Sequence, residues 1–209
     1  MIKTKLCGFT TKSTILLAIE NKADFIGFVF HLPSPRNISP ELSFEITKDI
    51  DFKDRVKKVA VFVDASDQEI AQIITFLKPD FLQIHSSDRA RILEIKNHFK
   101  IPIIKAFSIK DIQDLGDVDK YESIADLFLF DTKTKNSGGS GKTFDWKILQ
   151  NFTTKKDWFL SGGLNTNNIE EALKITNTKM VDLSSGIEEV RGIKSPELIK
   201  QFMTKISQF

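Results

Sequence analysis

Three stretches of the chain put thiol, acid and anion-binding groups where they could do chemistry. The first is KLCG, in which Cys7 follows Lys5 by two residues. Residues two apart on a strand share a face. A neighbouring ammonium favours the thiolate, so Cys7 could act as base or nucleophile. The plainer reading of a lone cysteine is a small buried hydrophobe. The second stretch is ADLFLFDTKTKNSGGSGKTFDW, where an apolar run, Leu127 to Phe130, ends at Asp131. A basic loop with Gly138, Gly139 and Gly141 follows. A carboxylate at a strand tip before such a loop is a candidate general acid or base, and otherwise a loop cap. The third element is a pair of late turns, Gly162–Gly163 and Ser184–Ser185–Gly186. Their backbone N–H groups can approach an anion such as phosphate, and the serines add donors.

Arg36 sits in HLPSPRNISPE, where Pro33 and Pro35 hold the chain extended. An arginine in a loop is ordinarily a solvated charge. On a loop so fixed it becomes a candidate for gripping a carboxylate with two nitrogens. Gln83, Lys105 and Asp182 read as a buried polar network supporting the site. His31 reads as a loop residue, and Trp146 and Trp158 as packing. His85 and His98 do not form a metal pair: His98 falls on a helix away from the strand tips, and no third ligand has suitable spacing. Lys133, Lys135 and Lys142 read as a solvated loop that could steer an anion.

The elements that must carry these residues follow from periodicity. Ile2 to Cys7 reads as a strand with Lys3, Lys5 and Cys7 on one face; lysines facing inward there require a polar site. A helix over Thr11 to Asn21 and a strand over Ala23 to Phe30 follow. Ser39-Pro40 caps a helix to about Ile50. Further strands fall at Val56–Val63, Phe81–His85, Ile101–Phe107, Leu127–Asp131, Trp158–Ser161 and Met180–Leu183. Between them lie helices from Ser66 to Leu77, with Ser66 and Glu69 at capping-box spacing, and from Asp88 to His98. A weaker helix covers Ile109 to Tyr121, and a short one follows Asp145. Asn165 reads as the cap of a helix over Asn168 to Ile175, and a last helix starts at Ser195-Pro196.

Regular βα alternation predicts a parallel sheet with right-handed crossovers. Eight units in 209 residues favour an α/β fold of the closed (β/α)8 TIM-barrel kind, as a single domain over 1–209. An open doubly wound sheet would carry its glycines in the first turn, whereas here they follow strands seven and eight. Barrels commonly bind phosphate there.

Composition narrows the function. The net charge of +2 is too small to argue for nucleic acid or an acidic membrane surface as partner. One cysteine permits no internal disulfide, and no apolar run could span a bilayer. MIKTKLCGFT lacks a secretion signal's apolar core, so the cytoplasm is expected. Eighteen phenylalanines against one tyrosine read as core filling by rings without a hydroxyl to satisfy.

In order along the chain, KLCG, DFIGFVF with the SPR loop, VFVD, LQIH, LFLFD through GGSGKTFDW, LSGGLN and VDLSSGIE with Gly192 resemble the phosphoribosylanthranilate isomerase family of tryptophan biosynthesis. The resemblance covers nearly the whole chain. It implies an Amadori rearrangement of N-(5-phosphoribosyl)anthranilate to 1-(2-carboxyphenylamino)-1-deoxyribulose 5-phosphate, with neither metal nor organic cofactor. It also implies Cys7 as general base, Asp131 as general acid, and Arg36 on the anthranilate carboxylate. Phosphate would lie at Gly162–Gly163 and Ser184–Gly186, with Gly139 assisting. The small phosphorylated substrate would be the main partner, and the chain a monomer or homodimer. Ser86 stands where the family usually has glycine, KLCG replaces the commoner KICG, and the loop after Asp131 is lysine-rich. These departures touch loop geometry and not the proposed catalytic positions.

Three other readings compete. A related histidine-pathway aminoaldose isomerase would place aspartate where Cys7 stands. A catalytically silent sugar-phosphate binding barrel would need neither Cys7 nor Asp131. A structural or interaction protein would gather its unusual residues on an apolar patch and not at strand tips.

Overall fold

The computed structural model describes residues 1–52, 56–133 and 143–209. Eight parallel strands close into a barrel in sequence order: β1 Lys3–Cys7, β2 Phe25–Phe30, β3 Lys57–Val63, β4 Phe81–His85, β5 Ile103–Ile109, β6 Leu127–Thr132, β7 Trp158–Leu160 and β8 Met180–Leu183. The predicted (β/α)8 architecture is therefore present. Closure pairs β1 with β8, which sets Lys5 opposite Asp182.

Alternation along the strands sorts side chains into two cores. The barrel interior holds Cys7, Phe25, Val59, Val61, Ile104, Ala106, Leu129, Phe159 and Met180. Phe25 meets Phe81 and Phe159 edge-on at 5.8 and 5.2 Å and fills the end away from the strand tips. The opposite strand faces pack under the helices in a larger second core. The same alternation corrects one expectation. Ile104 and Ala106 point inward, so Lys105 points outward. Its ammonium donates to the Ser87 carbonyl at 3.3 Å and lies over the Phe107 and Tyr121 rings. Lys105 is no part of the interior network.

The helices form where caps and apolar stripes predicted them. They are α1 Lys12–Glu20, α2 Pro40–Thr47, α3 Asp67–Leu77, α4 Arg89–Phe99, α5 Ile169–Thr176 and α6 Pro196–Ile206. The Ser39 and Ser195 hydroxyls accept from Leu42 and Leu198 N–H, and Ser66 and Glu69 complete a capping box. The cap of α5 is Asn168, not the expected Asn165, whose side chain instead bonds the Gly163 carbonyl and Asn167 N–H.

The departures lie after β5 and β6. The helix expected over Ile109 to Tyr121 is two 3-10 turns, Ile112–Leu115 and Val118–Tyr121, and the helix after Asp145 is a 3-10 turn, Trp146–Leu149. Asp111 caps the first turn within its own loop and Gly116 ends it. Local side-chain bonds thus compete with a longer helix. Aromatic rings cover the strands there instead: Phe107 meets Tyr121 and Phe128 at 5.4 and 5.3 Å, and Phe130 meets Phe152 and Trp158 at 5.1 and 5.3 Å. After β8 an unanticipated hairpin appears, β9 Glu188–Val190 with β10 Ile193–Lys194.

Candidate active site

A cleft of about 770 Å³, counted to its open mouth, sits over the C-terminal ends of the strands. Cys7 enters it from β1, Asp131 from β6 and Asp182 from β8, with Arg36 from the loop after β2. Gly162, Gly163, Ser184 and Ser185 line it from the loops after β7 and β8. These eight residues, all singled out from the sequence, thus share one space. Gly186 does not line the cleft; a Cβ there would lie 1.9 Å from the Leu164 carbonyl oxygen, so it serves close packing of the two late turns. Gly139, with Gly138, Gly141, Lys135 and Lys142, lies outside the described residues. Lys133 pairs with Asp114 at the surface.

The local sequence explains how Cys7 fits. Gly27 on β2 is its register partner, and a Cβ on Gly27 would stand 2.6 Å from the Cys7 sulfur. Gly8 takes φ +86° and passes under the Arg36 side chain, where a Cβ would meet Cδ at 2.6 Å. The glycine of KLCG therefore lets thiol and guanidinium share one end of the barrel.

Beneath the cleft, Lys5 donates to Asp182 Oδ1 at 2.7 Å, and Ser161 Oγ donates to Asp182 Oδ2 at 2.8 Å. Burial, then the charge of Asp182, pushes the Asp131 carboxyl up to about 7. Its own Thr132 N–H bond at 2.8 Å pulls the other way. Burial also raises the Cys7 thiol, against the lowering pull of the Lys5 ammonium. Asp131 thus holds a proton it can give near neutrality, and Cys7 sits beside a cation that stabilises its anion.

Arg36 is buried and spends two nitrogens on Glu188, Nε to Oε1 at 2.6 Å and Nη2 to Oε2 at 2.7 Å. Lys194 Nζ joins Glu188 Oε1 at 2.7 Å, and Gly192 N–H donates to Oε2 at 3.0 Å. Burial pushes the Glu188 carboxyl up, but the Arg36 bond and the Lys194 charge outweigh it and leave it below the usual range. Sequence reasoning missed Glu188 and Lys194. Both ride the hairpin after β8, which the sequence pattern did not reveal. It also missed His31, which lines the cleft. His85 lines the cleft as a neutral imidazole, burial driving it down to about 4, with Nε2 3.0 Å from Gln83 Nε2. Among the described residues, no group of three or more metal-ligating side chains could hold a metal ion.

An acid and a thiol that line one cleft at the C-terminal end of a (β/α)8 barrel are the groups and the place of an enzyme site in this fold. Comparison with known proteins narrows the class. The family described as N-(5'phosphoribosyl)anthranilate (PRA) isomerase matches residues 4–205. The N-(5'-phosphoribosyl)anthranilate isomerase of Bradyrhizobium diazoefficiens is 39% identical over 204 residues, covering 95% of this chain and 91% of that one. Its counterpart in Sinorhizobium fredii is 40% identical over 207 residues, with 97% and 92% covered. The crystal structure of phosphoribosyl anthranilate isomerase from Thermotoga maritima superposes with a TM-score of 0.89 at 33% identity over the whole of both chains. Another such isomerase, in complex with reduced 1-(o-carboxyphenylamino)-1-deoxyribulose 5-phosphate, gives 0.83 at 29% identity, again over both whole chains. The chain belongs to the N-(5'-phosphoribosyl)anthranilate isomerase family and is an isomerase of tryptophan biosynthesis. The silent-barrel, histidine-pathway and interaction-protein readings fall away.

Proposed function

We propose that Asp131 and Cys7 divide the Amadori rearrangement between them. Protonated Asp131 gives its proton to the furanose ring oxygen as the C1–O bond breaks. The anilino nitrogen's lone pair forms the Schiff base, which acidifies the C2 proton. The Cys7 thiolate removes that proton, and the C–H electrons move to nitrogen through the new C1–C2 double bond. The resulting enolamine tautomerises to the ketone. The observation that carries this reading is the placement of Cys7 and Asp131 on β1 and β6, across one cleft that both line.

Arg36 takes the anthranilate carboxylate. Two of its five N–H donors engage Glu188, and the remaining edge of the guanidinium is left for a second carboxylate. The turns at Gly162–Gly163 and Ser184–Ser185 take the phosphate, supported by their place in the cleft wall after β7 and β8. The enzyme acts in the cytoplasm, as one barrel domain, and as a monomer or homodimer; a Thermotoga maritima relative is described as dimeric. Among the described residues no helix is long and apolar enough to cross a membrane.

Turnover of freshly generated phosphoribosylanthranilate, followed by loss of its fluorescence, tests the two roles. Severe loss in both Cys7→Ala and Asp131→Asn, with folded protein, is the expected result. A Cys7 variant with unimpaired turnover would remove the thiolate from the mechanism.

A further inference from the structure

Lys5 is wholly buried inside the barrel, where an ammonium costs several kcal/mol of desolvation unless it is paired. Its pairing with Asp182 exists because the barrel closes β1 onto β8. Two apolar side chains would fill the same space without that cost, so filling space does not account for the charges. Lys5 also shares its strand face with Cys7, and its charge acts on the thiol.

We propose that Lys5 is a positioning residue of the isomerisation: clamped by Asp182, its ammonium stands on the same strand face as the Cys7 sulfur and favours its ionisation to the reacting thiolate. The proposal rests on Cys7 being the base. The other nearby cation is less suited. Lys194 Nζ has its three donors on the Ser184 carbonyl, Ser184 Oγ and Glu188, and burial brings it down to about 8. Lys5 has one donor on Asp182 and keeps its charge. Burial lowers its pKa, but the Asp182 and Cys7 charges outweigh that and leave it raised. Asp182 works in the same direction from the other side. Its charge favours the proton on Asp131, so within one buried ion pair Lys5 eases ionisation of the thiol and Asp182 keeps the acid protonated.

The test uses the single cysteine of the chain, since every iodoacetamide adduct then reports Cys7. Alkylation rate against pH is measured by mass spectrometry for the wild type, Asp182→Asn and the double variant Lys5→Met/Asp182→Asn, with thermal melting as the fold check. The double variant removes both buried charges and so avoids an unpaired one. Asp182→Asn frees the ammonium for the sulfur, and its alkylation midpoint is expected to fall. In the double variant the midpoint is expected to rise by about one pH unit or more, with alkylation at pH 8 slowed about tenfold or more. A double variant with the wild-type alkylation profile would overturn the proposal. If the midpoint rises while kcat/KM stays at the wild-type value, the Lys5–Cys7 coupling stands and the assignment of Cys7 as base fails.

Discussion

Arg36 presents two nitrogens to the two oxygens of Glu188, at 2.6 and 2.7 Å, with both side chains buried. A guanidinium so gripped on one edge keeps the plane of its other edge fixed. Lys194 and the Gly192 N–H hold Glu188 in turn, so the hairpin after β8 orients a residue from the loop after β2. Glu188→Gln keeps the size and halves the acceptors that match the Arg36 fork. Charge-assisted bonds of this kind contribute about 1.5–3 kcal/mol each. We expect KM for phosphoribosylanthranilate to rise about tenfold or more, with kcat changed far less. An unchanged KM in steady-state kinetics would mean that Arg36 needs no such support.

The pH profile of kcat/KM follows from the order of the two pKa values. Asp131 lies at about 7, and burial holds the Cys7 thiol above its ordinary 9.0. The reacting form needs Asp131 protonated and Cys7 ionised. With the thiol the weaker acid, that form is a small fraction that grows with pH up to about 7. It stays level until the thiol titrates and then declines. The limb near 7 therefore belongs to Asp131, although Asp131 is the acid. The residual rate of Asp131→Asn should keep rising past pH 8. A wild-type kcat/KM that falls between pH 7 and 8 would show the opposite order.

Much of this arrangement is legible in the sequence, because strand alternation and caps are local. Lys5 and Cys7 sharing an inward face followed from period two, and the capping box at Ser66 and Glu69 followed from spacing. The convergence of Cys7, Arg36, Asp131, Ser184 and Ser185 followed from each lying at a strand's C-terminal end or in the loop that follows it. What stayed hidden depends on which residues closure brings together. Glu188 reaches Arg36 across 152 positions, and nothing in IEEVRGIK marks one glutamate over its neighbour. In the sequence Lys105 groups with Gln83 and Asp182 by its place near a strand tip, although alternation puts it on the face opposite the inward Ile104 and Ala106.

Asp131 carries a stability penalty that its replacement should reveal. Its carboxyl stands at about 7 in the fold against an ordinary 3.8. Between those values the unfolded chain has released a proton that the folded chain still holds. Stability contributed by this group is therefore full below about pH 4 and is lost as pH rises through 7. Asp131→Asn should be more stable than wild type at pH 8, by up to roughly 4 kcal/mol, and nearly equal to it at pH 4. Urea unfolding at both values measures the difference. Equal stability at pH 8 would show that Asp131 ionises in the fold without cost. The gain would come with lost turnover, the usual relation between a strained site and its function.

Gly27 is the position where the sequence has least freedom near the thiol. It faces Cys7 across the β1–β2 pair, and a Cβ would stand 2.6 Å from Sγ and 3.1 Å from Cys7 Cα and Cβ. Gly27→Ala must push the sulfur out of line or shift β1. Overpacking of this kind costs about 1–3 kcal/mol, and misplacing a reacting group by about 1 Å lowers turnover on the order of a hundredfold. The two effects separate in a Cys7→Ala background, where no sulfur remains to collide. There the same glycine change should destabilise clearly less, because only the backbone and Cβ contacts persist. If Gly27→Ala destabilises equally in both backgrounds, the glycine serves the strand and not the thiol. If it destabilises less without the sulfur, and kcat falls while KM holds, then the missing side chain on β2 sets where the thiolate stands.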